Sequence, residues 1–203
     1  MLILWGWEHP ELAAHTGHLA PDVRVRSPGA KLECLQRPWW EENLTFNVDE
    51  RRELIKRYRA GHAEVVDALT GITEPELDKT AGDDPWTARM VVHHLADSEM
   101  TSAIRLRRLI AEDNPVIPGY DEMEFARVLY YTDRPIEGSL EMFRSARETT
   151  AQILDRLTDA QWERTGTHSE SGLYSVKDWL AIYANHGHDH ANQIRRARGL
   201  AAK

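Results

Sequence analysis

The chain has 203 residues, enough for one domain with a substantial core and little room for a second. Its 33 Asp plus Glu outnumber 25 Lys plus Arg, and no basic stripe stands out, which argues against a nucleic-acid partner. Cys34 is the only cysteine, which excludes an internal disulfide framework and a cysteine-based zinc site and points to a reducing cytoplasm.

Residues 1–45 form an irregular leader, because Pro10, Pro21, Pro28, Gly29 and Pro38 interrupt every candidate element. Its opening run Met1–Trp7 is apolar but has no basic flank and stops at Glu8. That is neither a signal peptide nor a membrane span, and no later segment is long and apolar enough to cross a bilayer. The leader's His9, His15 and His18 lack a helix to fix their geometry, so no metal site is read there. Trp39 and Trp40 are its best anchors for packing on a surface.

Residues 46–203 have a different texture, with four long amphipathic segments. The first runs from Val48 to Thr70, with Leu54, Ile55, Tyr58, Val65, Val66 and Leu69 on one face and Gly71 as its stop. The second runs from Pro85, a first-turn residue, to Glu112. Within it, Arg105, Arg107 and Arg108 read as a solvated face or an ion-pair network. A long link follows, Asn114 to Gly138, with a short helix predicted over Glu122–Tyr130. Its length permits a crossover between non-neighbouring helices. The third segment spans Ser139–Leu157. The fourth begins at Ser175, where Asp178 completes a capping box, and ends by Gly199. Strand-like alternation is absent. The expected fold is all-α: a four-helix bundle with a long crossover link between helices two and three.

Histidines carry the chemistry. His186 and His190 are four residues apart in the fourth segment, so both rings leave one helix face and can grip one divalent ion. Spacing alone is weak evidence, since ten histidines in a chain of this length give roughly 0.4 such pairs by chance. The face is more informative. Trp179, Ile182, Tyr183, Ile194 and Ala197 recur in the same stripe, so the rings point toward a core, where each polar nitrogen needs a partner. His94, in the second segment, shares its face with Met90, Val91, Ser98 and Thr101. His93 lies about 100° around the helix and is the weaker candidate, either a supporting donor or a surface residue.

The run Trp86-Thr87, a short apolar spacer and His94-Leu95-Ala96-Asp97-Ser98-Glu99, followed by Gly172–Trp179 and His186-Gly187-His188-Asp189-His190-Ala191-Asn192-Gln193-Ile194, resembles the DinB superfamily from about Phe46 to Leu200. The resemblance implies a bundle in which His94, His186 and His190 hold a divalent metal. It also implies an enzyme acting on a small molecule: a transferase or isomerase using a low-molecular-weight thiol of the bacillithiol or mycothiol type, or a metal-dependent hydrolase. A non-catalytic metal- or ligand-binding bundle is a third reading. Many relatives dimerise, so a homodimer through one helix pair is an expectation of the same kind.

Zinc suits three histidines plus an open position, and nickel, iron(II) and manganese fit the same ligand type. Asp97, one turn past His94, is the candidate supporting carboxylate or general base. His62 and Gln193 are candidate pocket residues, the latter able to orient a ligand or a water. His168 is a candidate for the site mouth, and His188 points away.

Overall fold

The computed structural model describes residues 46–203; the expectations for the leader, including Cys34, Trp39 and Trp40, lie outside them. The four segments are helices α1 (Val48–Leu69), α3 (Ala88–Ala111), α5 (Glu137–Leu154) and α7 (Val176–Ala197). Short helices α2 (Glu74–Leu77), α4 (Glu122–Val128) and α6 (Asp159–Trp162) lie in the connections.

Local chemistry sets the ends. Asn47 Oδ1 accepts from the Asp49 and Glu50 amides at 2.9 and 3.0 Å, while Glu50 accepts from the Asn47 amide, a reciprocal box that starts α1. Ser175 and Asp178 form the predicted box at the start of α7. The second helix starts later than expected. Asp84 Oδ1 takes the Trp86 amide at 3.0 Å, an Asx turn that keeps Pro85 outside the helix, and Thr87 caps in its place. α5 runs two to three residues earlier than its periodicity suggested, from Glu137 to Leu154.

Cross-helix bonds define the bundle. Asn185 and Arg195 of α7 bond to Arg57 and Asp67 of α1, so these two helices run parallel. His93 meets Ser139 and Arg107 meets Thr150, so α3 and α5 are parallel too. Trp179 bonds to Ser102 while His186, two turns further along α7, meets His94, two turns earlier in α3, which makes α7 antiparallel to α3. The long link is therefore a crossover, but it joins packed parallel neighbours. The diagonal steps are α1 to α3 and α5 to α7.

The bundle also carries a small three-stranded sheet that the sequence did not signal. β1 (Val116–Ile117) pairs parallel with β2 (Thr165–His168), which pairs antiparallel with β3 (Gly172–Ser175). Strands of two to four residues are too short to show alternation. Gly166 lets β2 approach the crossover, because a Cβ there would stand 2.6 Å from the Pro115 carbonyl oxygen.

The core is two apolar clusters. One surrounds Trp179, Leu106 and Leu109 near the sheet; the other surrounds Val65, Val92, Phe143 and Ile194 at the opposite end. Between them lies a buried polar layer. The Arg147 guanidinium bonds Glu99 Oε2 at 2.8 Å and the carbonyls of Tyr58 and Tyr183, and Tyr58 donates to Glu99. One side chain of α5 thus ties α1, α3 and α7 together. No helix among the described residues is long and apolar enough to cross a membrane.

Candidate metal centre

The antiparallel packing of α3 against α7 brings the first turns of α3 beside the C-terminal half of α7. His94, His186 and His190 converge there, each offering one ring nitrogen, all within 4.8 Å of one another. His186 Nε2 lies 3.1 Å from His190 Nε2 and 3.3 Å from His94 Nε2. Donors about 2.0–2.1 Å from a zinc ion stand roughly 3.0–3.4 Å apart, so the spacing fits a shared divalent ion.

The environment keeps the rings neutral. Burial, reinforced by His190, holds His94 down to about 3. His186 is lowered well below the ordinary range by burial and by both other histidines. Burial also lowers His190, although its bond to Gln193 opposes the shift. Neutral imidazoles are the form that ligates metals.

Orientation comes from outside the trio. Gln193 Oε1 lies 2.7 Å from His190 Nδ1, and its amide nitrogen donates to Asp84 Oδ2 at 2.9 Å. With the amide nitrogen facing a carboxylate, the oxygen faces the ring, so Nδ1 carries the proton and Nε2 keeps its lone pair. The Trp86 ring meets His94 edge-on at 5.4 Å, and Tyr183 meets His186 edge-on at 5.6 Å. His186 Nδ1 is buried without a hydrogen-bond partner among the described residues.

Other predicted residues are placed elsewhere. Asp97 lies on the His93 side of α3, where its Oδ2 accepts from the Tyr131 hydroxyl at 2.6 Å, and Tyr131 packs on the His93 ring at 5.6 Å. Of the two readings of His93, supporting donor or surface residue, the surface one fails: the ring is fully buried and bonds Ser139 at 2.7 Å and the Arg134 carbonyl at 3.1 Å. His62 lines a cleft of about 410 Å³ between α1 and α5 with Arg59, Arg144 and Arg147; the three converging histidines are not on its wall. His188 bonds the Arg57 carbonyl on the α1 side. The basic cluster also divides: Arg108 pairs with Glu112 as expected of a solvated face, but Arg105 is buried. Asp84 carried no signal as a site residue, since nothing local links it to Gln193, 109 residues away, and Tyr183, although on the His186 stripe, read as core.

A four-helix bundle with three inward histidines at one end defines a metal-centre class. Residues 57–194 match the DinB superfamily, and the chain belongs to that family. Among its relatives, "Putative metal-dependent hydrolase BH0277" of Halalkalibacterium halodurans is 34% identical over 131 residues, 64% of this chain and 76% of its own length. A similarly named protein of Oceanobacillus iheyensis is 42% identical over 123 residues, 61% of this chain and 71% of the relative. The solved structure of YfiT from Bacillus subtilis, described as a probable metal-dependent hydrolase with an unusual four-helix bundle topology, superposes with a TM-score of 0.72. It is 28% identical, across 77% of this chain and 92% of that one. A mycothiol-dependent maleylpyruvate isomerase shares the fold with a TM-score of 0.58 at 12% identity, over 71% of this chain and 60% of that one.

Proposed function

We propose that this protein is a metal-dependent enzyme in which His94, His186 and His190 hold one divalent ion, zinc first, and a low-molecular-weight thiol is transferred onto, or used on, a small electrophilic substrate. The observation that carries this reading is the composition of the cluster: neutral imidazoles converge with no carboxylate among them. A divalent ion so held keeps its full charge and lowers the pKa of a thiol or water entering an open position. A thiol acidified in this way needs no carboxylate base, which suits a site whose nearest predicted base, Asp97, is committed to Tyr131. Gln193 and Asp84 hold the His190 ring in its ligating tautomer, and Trp86 closes one side of His94.

Hydrolysis is the second reading, favoured by the names of the relatives. The two separate in one set of assays. Thiol use predicts that bacillithiol or mycothiol binds metal-loaded protein only and that His186→Ala abolishes binding. Binding by metal-free protein, or turnover of an ester and amide panel with no thiol present, rejects it in favour of the alternative. Elemental analysis of untagged protein beside His94→Ala tests the ligand set: metal content falls to background in the variant, and an unchanged content removes His94 from it.

A further inference from the structure

Arg105 poses a question that the bundle does not answer. It is only 8% exposed, yet no carboxylate of the described residues forms an ion pair with it. Its guanidinium donates to the Pro118 carbonyl at 2.5 Å and makes a 3.4 Å contact with the Tyr183 hydroxyl; its Nε is buried without a partner among the described residues. A buried cation lacking a counter-ion is costly, and the other buried arginines avoid it: Arg147 faces Glu99, Arg89 faces Asp78, and Arg195 faces Asp67.

Arg105 also lines a cavity of about 250 Å³ beneath the β2–β3 hairpin. The walls are largely apolar and aromatic: Leu173, Ile182, Tyr174 and Tyr183, with His168 at one side. Two acids reach the lining and neither pairs with Arg105, while a third, Glu122 at the start of α4, feels its charge but forms no ion pair with it. Asp178 is engaged by Ser175 in the cap of α7, and the Glu170 carboxylate lies against Gly119. Burial holds the Tyr174 hydroxyl protonated, so it adds no negative charge.

We infer that this cavity binds a small organic carboxylate with an apolar body, its carboxylate anchored on Arg105 and its body against Tyr174, Tyr183 and Ile182. A planar guanidinium matches a carboxylate through paired N–H donors, and apolar walls around a few polar groups are the usual make-up of a small-molecule site. Inorganic phosphate suits the walls poorly, because its further charged oxygens would face hydrocarbon. The site stands on its own residues, whether or not the histidines hold a metal. It adjoins them all the same: Tyr183 reaches Arg105 with its hydroxyl and His186 with its ring edge. Where the proposed function holds, the acid bound here is a candidate for that substrate.

The test is benzoate binding to the full chain, followed by calorimetry and by chemical shifts, with the uncharged isostere benzamide and inorganic phosphate as comparisons. Benzoate is expected to bind at least tenfold more tightly than either comparison, equally to metal-loaded, metal-stripped and His186→Ala protein. R105Q is expected to remove the preference for benzoate over benzamide. L173W, at an exposed position on the cavity rim, is expected to weaken benzoate at least tenfold by filling the entrance, and it decides the matter if R105Q does not fold. Equal binding of benzoate and benzamide, phosphate binding as tight as benzoate, or a folded R105Q that binds like the parent overturns the inference. Loss of benzoate binding on metal removal or in His186→Ala overturns it too, because the carboxylate would then sit on the metal; thiol binding in those samples reports separately on the proposed function.

Discussion

Gln193 shows how much of a metal centre lies beyond its ligands. Its side chain relays the Asp84 carboxylate to His190 Nδ1, so two bonds of 2.9 and 2.7 Å set one ring's tautomer and angle. Partners of this kind typically contribute 10–100-fold in metal affinity. Gln193→Leu keeps most of the volume but removes both bonds, and a loss of metal affinity on the order of tenfold or more is expected by competition with a chelator. Asp84→Asn is expected to act in the same direction and, combined with Gln193→Leu, to add little, because the two act through one chain of bonds. Gln193 stood out in the sequence for its closeness to His190; Asp84 did not, since it is 109 residues away.

Among the elements, the α1–α7 contact is sensitive to small changes. A Cβ on Gly187 would stand 3.0–3.1 Å from the Gly61 backbone, and backbone cannot swing aside as a side chain can. Gly187 adjoins His186, so a shift of α7 moves a candidate ligand. Gly187→Ala is expected to cost roughly 1–3 kcal/mol through overpacking, despite alanine's better helix propensity, and to weaken metal binding. Thermal unfolding of the metal-free protein reads the first effect, and a cobalt-loaded spectrum reads the second. The start of α7 was legible at this scale because caps act within a few residues: Ser175 with Asp178 was visible directly. The hairpin was not, because β2 and β3 are held by pairing with each other and with β1, about fifty residues upstream.

The whole molecule couples these histidines to pH. His94, His186 and His190 have folded-state pKa values below the ordinary 6.5, chiefly through burial, and His62, His93 and His168 are shifted the same way. Below pH 6.5 the unfolded chain therefore takes up protons that the native chain refuses. Metal-free protein is expected to be most stable above that point and to lose stability as pH falls toward the folded values. The slope is about 1.4 kcal/mol per pH unit for each histidine that differs fully between the two states. Metal loading is expected to raise the melting temperature above pH 7 and to lose that advantage on acidification, as protons compete for the ring nitrogens. A melting temperature unchanged between pH 7.5 and pH 5 would contradict the burial assigned to these rings.

The sequence by itself determined the four long helices, the cap that starts the last of them and the inward stripe that carries His186 and His190, because 3.6-residue periodicity and capping are properties of neighbours. It also carried the family pattern that added His94 to the pair. Only the tertiary structure decided that α3 runs parallel to α5 and antiparallel to α7, which sets His94 against partners 92 residues away. Packing likewise turned Asp97 toward Tyr131 and buried Arg105 beneath a hairpin. Such placements depend on which helix faces meet, and contacts between distant segments leave no period in the chain.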